Sequence, residues 1–518
     1  MELGTSRRRR SSEPGSAGGA DYLSALPEDL LLLVLARLGC AAAAARTGLV
    51  SRRWRGLWAR LRDLAFQGVA FPSLQVALGR VARPPPAVSL LEIRVSDEHL
   101  PIFDADDVTS VLRAAALLAP EKLVFALPWD PDPAPTEVDL PCFHRATSIV
   151  LERIPFLLRT PAAGAEFPTL RTLSDVDRTP CGTTVRMAIS LSLRDCKIES
   201  ISAFISFCPH LRVLGLEGIW VGDDLGALLS LCPHLRALRL KKPVCLGDDD
   251  WTVHSTSLQE LVMDGKNLWA RRVDIVAPML KQLTLSLHAY NQVTISIVAP
   301  MLENVSWQCL YAKGIIGFGL WTLEKLSLHT AEKQGQLSSL QIHACNSWFT
   351  FSDEETNFAQ EIEKHMIVDF SALELHLSAM GHVSGAFVSH LLGLNRIRSA
   401  IRRLKVALLR LEEEETCPAN CPCECTNWRR QIISLTALEE VEIHGFRGDA
   451  HELDFLKLIF SCAPMLKRMI VRLPGEVSSS NDRCTEIYDI FRGYSSVKCN
   501  VYLSSGKYMF CMLDLYAL

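Results

Sequence analysis

A unit Leu-x-x-Leu-x-Leu recurs through the middle of this 518-residue chain. It occurs at Leu211, Leu214, Leu216; Leu235, Leu238, Leu240; Leu258, Leu261, Met263; Leu280, Leu283, Leu285; Leu302, Val305, Trp307; and Leu323, Leu326, Leu328. The first positions follow one another at intervals of 24, 23, 22, 22 and 21 residues. The flanks recur as well: Cys208-Pro209-His210-Leu211 matches Cys232-Pro233-His234-Leu235, and Ala277-Pro278-Met279-Leu280 matches Ala299-Pro300-Met301-Leu302. Successive residues of a strand face opposite sides, so one short strand cannot cover its own apolar positions. Each buried leucine contributes about 1.5–3 kcal/mol, and here stacking on a neighbouring unit is what supplies the burial.

The segments between units predict their own backs. Ser200 to Phe207 and Asp223 to Leu231 read as helices that stop at a Cys-Pro, where proline pushes the preceding residue out of the helical region. Val293, Ile295 and Ile297 alternate and are β-branched, which predicts an extended back. Upstream, shorter alternations appear at Leu90, Ile93, Val95; at Leu123, Phe125, Leu127; and at Ile149, Leu151, with a helix predicted over Asp106 to Leu118. Downstream lie Phe370, Leu373, Leu375, Leu377 and a helical stretch near Ser384 to Leu394. The unit returns at Leu438, Val441, Ile443 and at Leu466, Met469, Val471. Between these two come His444-Gly445-Phe446-Arg447-Gly448 and an amphipathic helix carrying Leu453, Leu456, Ile459 and Phe460.

The period lies in the range of about 20 to 29 residues of leucine-rich repeats, which the middle of the chain resembles. The asparagine or cysteine of the standard repeat is replaced by Ile219, Pro243, Lys266, His288, Leu310 and Ala331; Cys196, after Leu191 and Leu193, fits. The resemblance implies an irregular horseshoe without a full asparagine ladder. Strand alternation places the intervening residues on one concave face: Arg212, Val213, Gly215; Arg236, Ala237, Arg239; Gln259, Glu260, Val262; Lys281, Gln282, Thr284; Glu303, Asn304, Ser306; Glu324, Lys325, Ser327. That face runs from basic to mixed. Arg212, Arg236, Arg239, Lys281 and Lys325 are the candidate target-binding residues, with ordinary solubilising charge as the alternative.

Residues 26 to 58 form a different regime. Pro27 suits a first helical turn, and Glu28 and Asp29 put negative charge at the positive end of the helix. From Leu30 to Leu38 the only charge is Arg37, so apolar residues go all round and the helix needs cover on two sides. An Ala-rich segment (Ala41 to Val50) and a third segment (Ser51 to Leu61, with Trp54, Leu57 and Trp58) can supply one side. A module of about 40 residues lies at the lower limit of independent stability, so the expectation is three helices that borrow further cover from a partner. The pattern resembles the F-box in Leu26, Pro27, Leu30, Leu31, Val34, Leu35, Leu38, Val50, Ser51, Trp54 and Leu57. The run from Ala45 to Arg55 resembles the version in plant F-box proteins with leucine-rich repeats. One departure is the middle turn, Leu38-Gly39-Cys40 followed by five alanines. A helical hairpin packed on its own protein is the alternative for residues 21 to 60. LEEVEIHGF through CAPMLKRMIVRL resembles the FBD region that follows the repeats in many plant F-box proteins.

The chemistry of catalysis is missing from the motifs. There is no phosphate loop ending in Gly-Lys-Ser/Thr, no G-x-G-x-x-G after a strand and no G-x-S-x-G elbow, and His451-Glu452 lacks the second histidine of a zincin. Cys417, Cys421, Cys423 and Cys425 form a C-x3-C-x-C-x-C cluster beside Glu412 to Glu415, but C-x-C spacing chelates zinc less comfortably than C-x2-C. Free thiols on a surface loop are the expectation there, with a metal-dependent enzyme as a third alternative that lacks a positioned base. Seventeen cysteines, an odd number, with no secretory signal read as reduced thiols of the cytosol or nucleus. A formal charge of -4 gives no reason to expect nucleic acid or membrane as a partner. No uncharged run reaches the roughly 18 to 20 residues needed to span a bilayer. Arg396, Arg398, Arg402, Arg403 and Lys405 read as a solvated helix face or a patch for an acidic ligand.

The expected fold is therefore α/β, a three-helix F-box followed by an irregular leucine-rich-repeat solenoid. The expected divisions are a disordered basic tail (1–20, with Arg7 to Arg10), the F-box (21–62), a linker (63–87), the solenoid (88–395), an FBD-like region (396–475, with an insertion at 412–430) and a C-terminal segment (476–518). The resemblance implies a non-catalytic substrate receptor of a Skp–cullin–F-box ubiquitin ligase, with no cofactor, binding a Skp-type adaptor and a target protein. The alternative is a repeat-based scaffold whose F-box is degenerate.

Overall fold

The computed structural model describes residues 26–81, 88–95, 104–128, 136–154, 156–159, 190–194, 197–198, 201–206, 208, 210–218, 220–221, 225–242, 245–246, 250–265, 268–289, 292–312, 314–331, 336–346, 355–379, 383–410, 428–474, 482–503 and 508–509. The basic tail and Cys417, Cys421, Cys423 and Cys425 lie outside them. The chain is mixed α/β, with an N-terminal helical module and a large sheet of 19 strands among the described residues.

The module opens with helix α1 (Glu28–Ala36), its acidic first turn following Pro27, and ends at Gly39 with φ +67°. Helix α2 (Ala41–Arg46) is short, and the third helix expected from the sequence is a set of 3-10 turns, Thr47–Leu49, Arg52–Trp54 and Leu57–Arg60. Gly56 at φ +79° breaks the run. Trp54, Leu57 and Trp58 are still buried, so the apolar spacing found the core while the glycine prevented a continuous helix.

The residues expected as a linker begin the sheet instead. Asp63–Gln67 is a strand that pairs in parallel with Leu90–Arg94, and helix α3 (Phe71–Arg80) covers it. Leu64 and Phe66 are its two buried positions, too few to register as an alternation; Trp58 meets Phe66 edge-on at 6.3 Å and joins module to sheet. From there the strands follow in chain order and parallel register. A single line of partners runs Leu64, Leu91, Leu123, Ile149, Leu191, Leu214, Leu238, Leu261, Leu283, Val305. The same position of each sequence unit thus sits beside its counterpart in the next. Ile201–Ser206 and Leu225–Ser230 are helices, and Asp250–His254, Arg272–Val276 and Thr294–Val298 form a parallel three-stranded sheet, as the alternation predicted.

The sixth unit departs from expectation. Trp321–His329 runs antiparallel to both its neighbours, Asn304–Tyr311 and Ser339–Asn346. Gly314 and Gly319 take positive φ in the turn before it, so the chain doubles back where a parallel strand would need a longer crossover. A bulge between Leu323 and Lys325 still puts Leu323, Leu326 and Leu328 in the core. Parallel order then resumes through Ala372–Ala379, Arg403–Arg410, Glu440–His444, Arg468–Leu473 and Lys498–Leu503. The C-terminal segment therefore extends the sheet.

Beneath this reversal lies a sealed polar cluster. Trp307 Nε1–H donates to His365 Nδ1 at 2.9 Å, which leaves the proton on Nε2, 2.5 Å from Tyr311 Oη; Tyr311 donates in turn to Glu361 at 2.8 Å. Lys364 and the Val293 amide complete the carboxylate's partners. Together they pin helix Glu355–Lys364 to the strand Asn304–Tyr311. Burial keeps His365 neutral, with its pKa below the usual histidine value. Burial alone would raise the pKa of Glu361, but the hydrogen bonds from its neighbours hold it lower.

Two outcomes follow from this packing. An unfolded histidine titrates near 6.5, so between there and the depressed folded value the unfolded chain binds the extra proton. The contribution of His365 to stability is present above about pH 6.5 and is lost on acidification. In urea denaturation at pH 7.5 and pH 5.5, His365→Gln should be less stable than wild type at pH 7.5, with the gap narrowing at pH 5.5. A gap that does not change with pH contradicts the assignment. Gly445, in the turn His444-Gly445-Phe446, has φ +74°, and a Cβ there would lie 2.3 Å from the Leu408 carbonyl oxygen. Gly445→Ala should cost about 2 kcal/mol or more, since both backbone strain and a close contact oppose it. Gly79→Ala, in helix α3 with open space around it, should raise stability by about 0.5–1 kcal/mol.

Candidate functional site

Helix α1 divides its apolar residues between two faces. Leu31 and Leu35 are in the core, so the structure places them inside the module and not on the exposed side. Leu30, Leu33, Val34 and Leu38 follow helical spacing along the other face and are 41%, 63%, 41% and 45% exposed. The turn after α2 adds Leu49 and Val50 at 87% and 79%. Pro27 is exposed and Leu26 half-buried, while Trp54 and Leu57 support the surface from beneath. Ser51 is half-buried, and its Oγ accepts from the Arg53 amide at 3.2 Å, capping the 3-10 turn. Arg53 reaches back to the Leu26 carbonyl and Arg60 pairs with Glu28, tying both ends of the module together. The sequence reading omitted Leu33 and Leu49; the period of α1, anchored on Leu31 and Leu35 as the inward pair, carries the signal for Leu33.

The outward face of the strands is more fully paired than its sequence suggests. Arg239 makes a two-pronged bond to Glu260, at 2.7 and 2.8 Å, because the register sets Glu260 opposite Ala237 on the next strand. Lys281 lies 3.9 Å from Glu303. Arg212, Arg236 and Lys325 are half-buried at strand edges or faces. Val213 and Ala237, expected to face outward, are buried.

A second row, further along the same face, lies beyond the units from which the candidates were drawn. His343 stacks on His376 at 4.3 Å and 9°, and its pKa is pushed down to about 4, chiefly by burial and then by the charges of His376 and Lys325. Glu374 sits 3.7 Å from Lys405. Glu442 accepts from Arg472 at 2.7 Å and meets His444 at 2.9 Å and Arg403 at 3.6 Å. Burial opposes the charge of Glu442, but Arg472 and His444 outweigh it and hold its pKa below the usual carboxylate value. Arg472 also lies over Tyr502 at 5.0 Å. The alternation at Leu373, Leu375, Leu377 and at Val441, Ile443 would have exposed this row. Arg403 and Lys405 belong to it as strand residues, while Arg396 bonds the Met366 carbonyl at 2.7 Å, so the basic run is not one helix face.

Chemistry has little purchase on these groups. The Glu361–Tyr311–His365–Trp307 cluster is sealed from solvent and each member already has its partner. Asp449, His451 and Glu452 come within metal-ligand reach of one another. Glu452, however, is spent accepting from the Arg447, Gly448 and Asp449 amides at 2.8, 2.9 and 3.2 Å as the cap of helix Ala450–Cys462. Cys208 and Cys232 are buried free thiols whose pKa burial pushes up to about 12. Among the described residues no helix is long and apolar enough to cross a membrane.

Comparison with known families matches the two segments on which these features converge. The F-box domain family matches residues 23–65, which hold α1, α2 and the 3-10 turns, and the FBD family matches residues 435–471, which hold Glu442, Gly445 and the Glu452 cap. No curated protein matches the chain. The chain therefore carries an F-box domain at its N-terminal end and an FBD domain near its C-terminal end.

Proposed function

We propose that this protein is the substrate-recognition subunit of a Skp–cullin–F-box ubiquitin ligase. The observation that carries this reading is the uncovered face of α1: Leu30, Leu33, Val34 and Leu38, continued by Leu49 and Val50, expose apolar surface directly over a packed core. Exposed contiguous apolar surface on a folded module marks an interaction site. Within an F-box domain its occupant is a Skp-type adaptor, which links the chain to a cullin-RING assembly. Leu26, Pro27 and Ser51 border the contact, and Leu31, Leu35, Trp54 and Leu57 shape it from below. The protein then performs no covalent step itself; it contributes proximity and orientation to a transfer carried out by others.

The large sheet is the target-binding part. Its residue-by-residue parallel register supports a leucine-rich-repeat solenoid from the first strand at Asp63 to the C-terminal strand at Lys498, with one reversed unit and with the FBD domain as part of the stack. Its outward face carries Arg212, Arg236 and Lys325 toward one end and the Glu374, Lys405, Glu442, His444, Arg472 row toward the other. A soluble protein target in the cytoplasm or nucleus suits this arrangement.

Charge placed on the exposed face should separate binding from folding. Leu33→Glu with Val34→Glu should leave the melting temperature near wild type and reduce capture of a Skp-type adaptor at least tenfold. Leu31→Ala should instead destabilise the module by about 2–5 kcal/mol. Adaptor capture unchanged by the double variant would favour a scaffold with a degenerate F-box. Once a target is captured, Arg212→Glu with Arg236→Glu should lower its ubiquitination while adaptor binding stays intact. An unchanged rate would move recognition to the C-terminal row.

A further inference from the structure

The five alanines at 41 to 45, which depart from the F-box pattern, form one wall of a cavity of about 720 Å³ between the helical module and helix α3. Ala42 and Ala45 present methyl groups where larger side chains would fill the space. Trp58 and Phe66 lie across from them, in the edge-on contact already described, and Val76 and Ala77 of α3 close the far side. Val76 is 54% exposed although it faces this apolar space. Half of the lining belongs to the F-box domain and half to a helix beyond it, so the cavity exists only because the module is docked on the sheet.

Its charge is one-sided. Arg55 and Arg80 are the charged residues of the lining, and no carboxylate is among the lining residues. Arg55 is held at the rim by its Nε–H, which donates to the Gly48 carbonyl at 3.3 Å. Among the described residues neither guanidinium pairs with an acid. A mainly apolar cavity of roughly 300–1,000 Å³ with a few convergent polar groups, located between two structural units, is the usual form of a small-molecule site. Guanidinium groups favour planar oxyanions such as carboxylates.

We infer that the cavity between the F-box module and helix α3 binds a small anionic amphiphile, a carboxylate or sulfonate on an apolar body. The body lies between the alanine wall and Val76, over Trp58 and Phe66, and the anion meets Arg55 and Arg80 at the mouth. Such a ligand would bridge the module and the first unit of the sheet and fix their contact. This inference does not depend on adaptor binding.

The test uses the full chain titrated with 8-anilino-1-naphthalenesulfonate. One saturable site per chain is expected, competed by decanoate and not by decanol at the same concentration. Arg80→Gln should weaken the probe at least tenfold and Arg80→Lys should restore most of the affinity. Ala45→Leu, which narrows the cavity at an exposed position, should abolish the site with the melting temperature kept near wild type. No saturable binding, equal competition by decanol, or affinity indifferent to all three variants would overturn the proposal. Displacement of the probe by a saturating Skp-type adaptor would also overturn it, by making the cavity a protein-docking surface.

Discussion

Parallel register between strands about two dozen residues apart is the constraint on which the rest of the structure depends. Once Leu214 sits beside Leu238 and Leu238 beside Leu261, every residue between them is assigned to a face, and the side chains that can meet are decided. Arg239 reaches Glu260 because of that register. His343 stacks on His376, and Glu442 lies under Arg472, for the same reason. Burial of a leucine line is the energetic cause, and the arrangement of charges on the outward face is its consequence.

The N-terminal module obeys a different balance. It is too small to cover its own apolar residues, and it solves half of the problem by docking on the first strand through Trp58 and Phe66. Leu31 and Leu35 are thereby satisfied. Leu30, Leu33 and Val34 are not, and the five alanines, lacking bulk, leave room beside the dock. One shortage of covering side chains thus produces both an open face on α1 and a cavity next to α2.

The parts of this architecture that depend on repetition were legible in the sequence. The strand line from Leu211 to Trp307, the helical backs, the extended back at Val293 to Ile297 and the C-terminal units all follow from apolar spacing. The first strand escaped notice because Leu64 and Phe66 make too short an alternation. The reversal of Trp321–His329 was hidden for a different reason. Burial is blind to strand direction, and the bulge after Leu323 preserved the motif while Gly314 and Gly319 turned the chain. The surface was the least legible part. Apolar residues all round α1 showed that cover was needed, but only its packing shows that Leu31 and Leu35 face in and Leu33 faces out. Likewise the basic residues at 236 to 239 looked free until the register brought Glu260 to Arg239.

The central claim is that the uncovered face of α1 is where a Skp-type adaptor sits. Hydrogen–deuterium exchange on the full chain, with and without a purified Skp-type adaptor, tests it most directly. The account predicts slowed exchange in residues 26 to 50 on adding the adaptor, with the strands from Ala237 to Leu503 unchanged. Exchange across residues 26 to 50 that is the same with and without adaptor would contradict it.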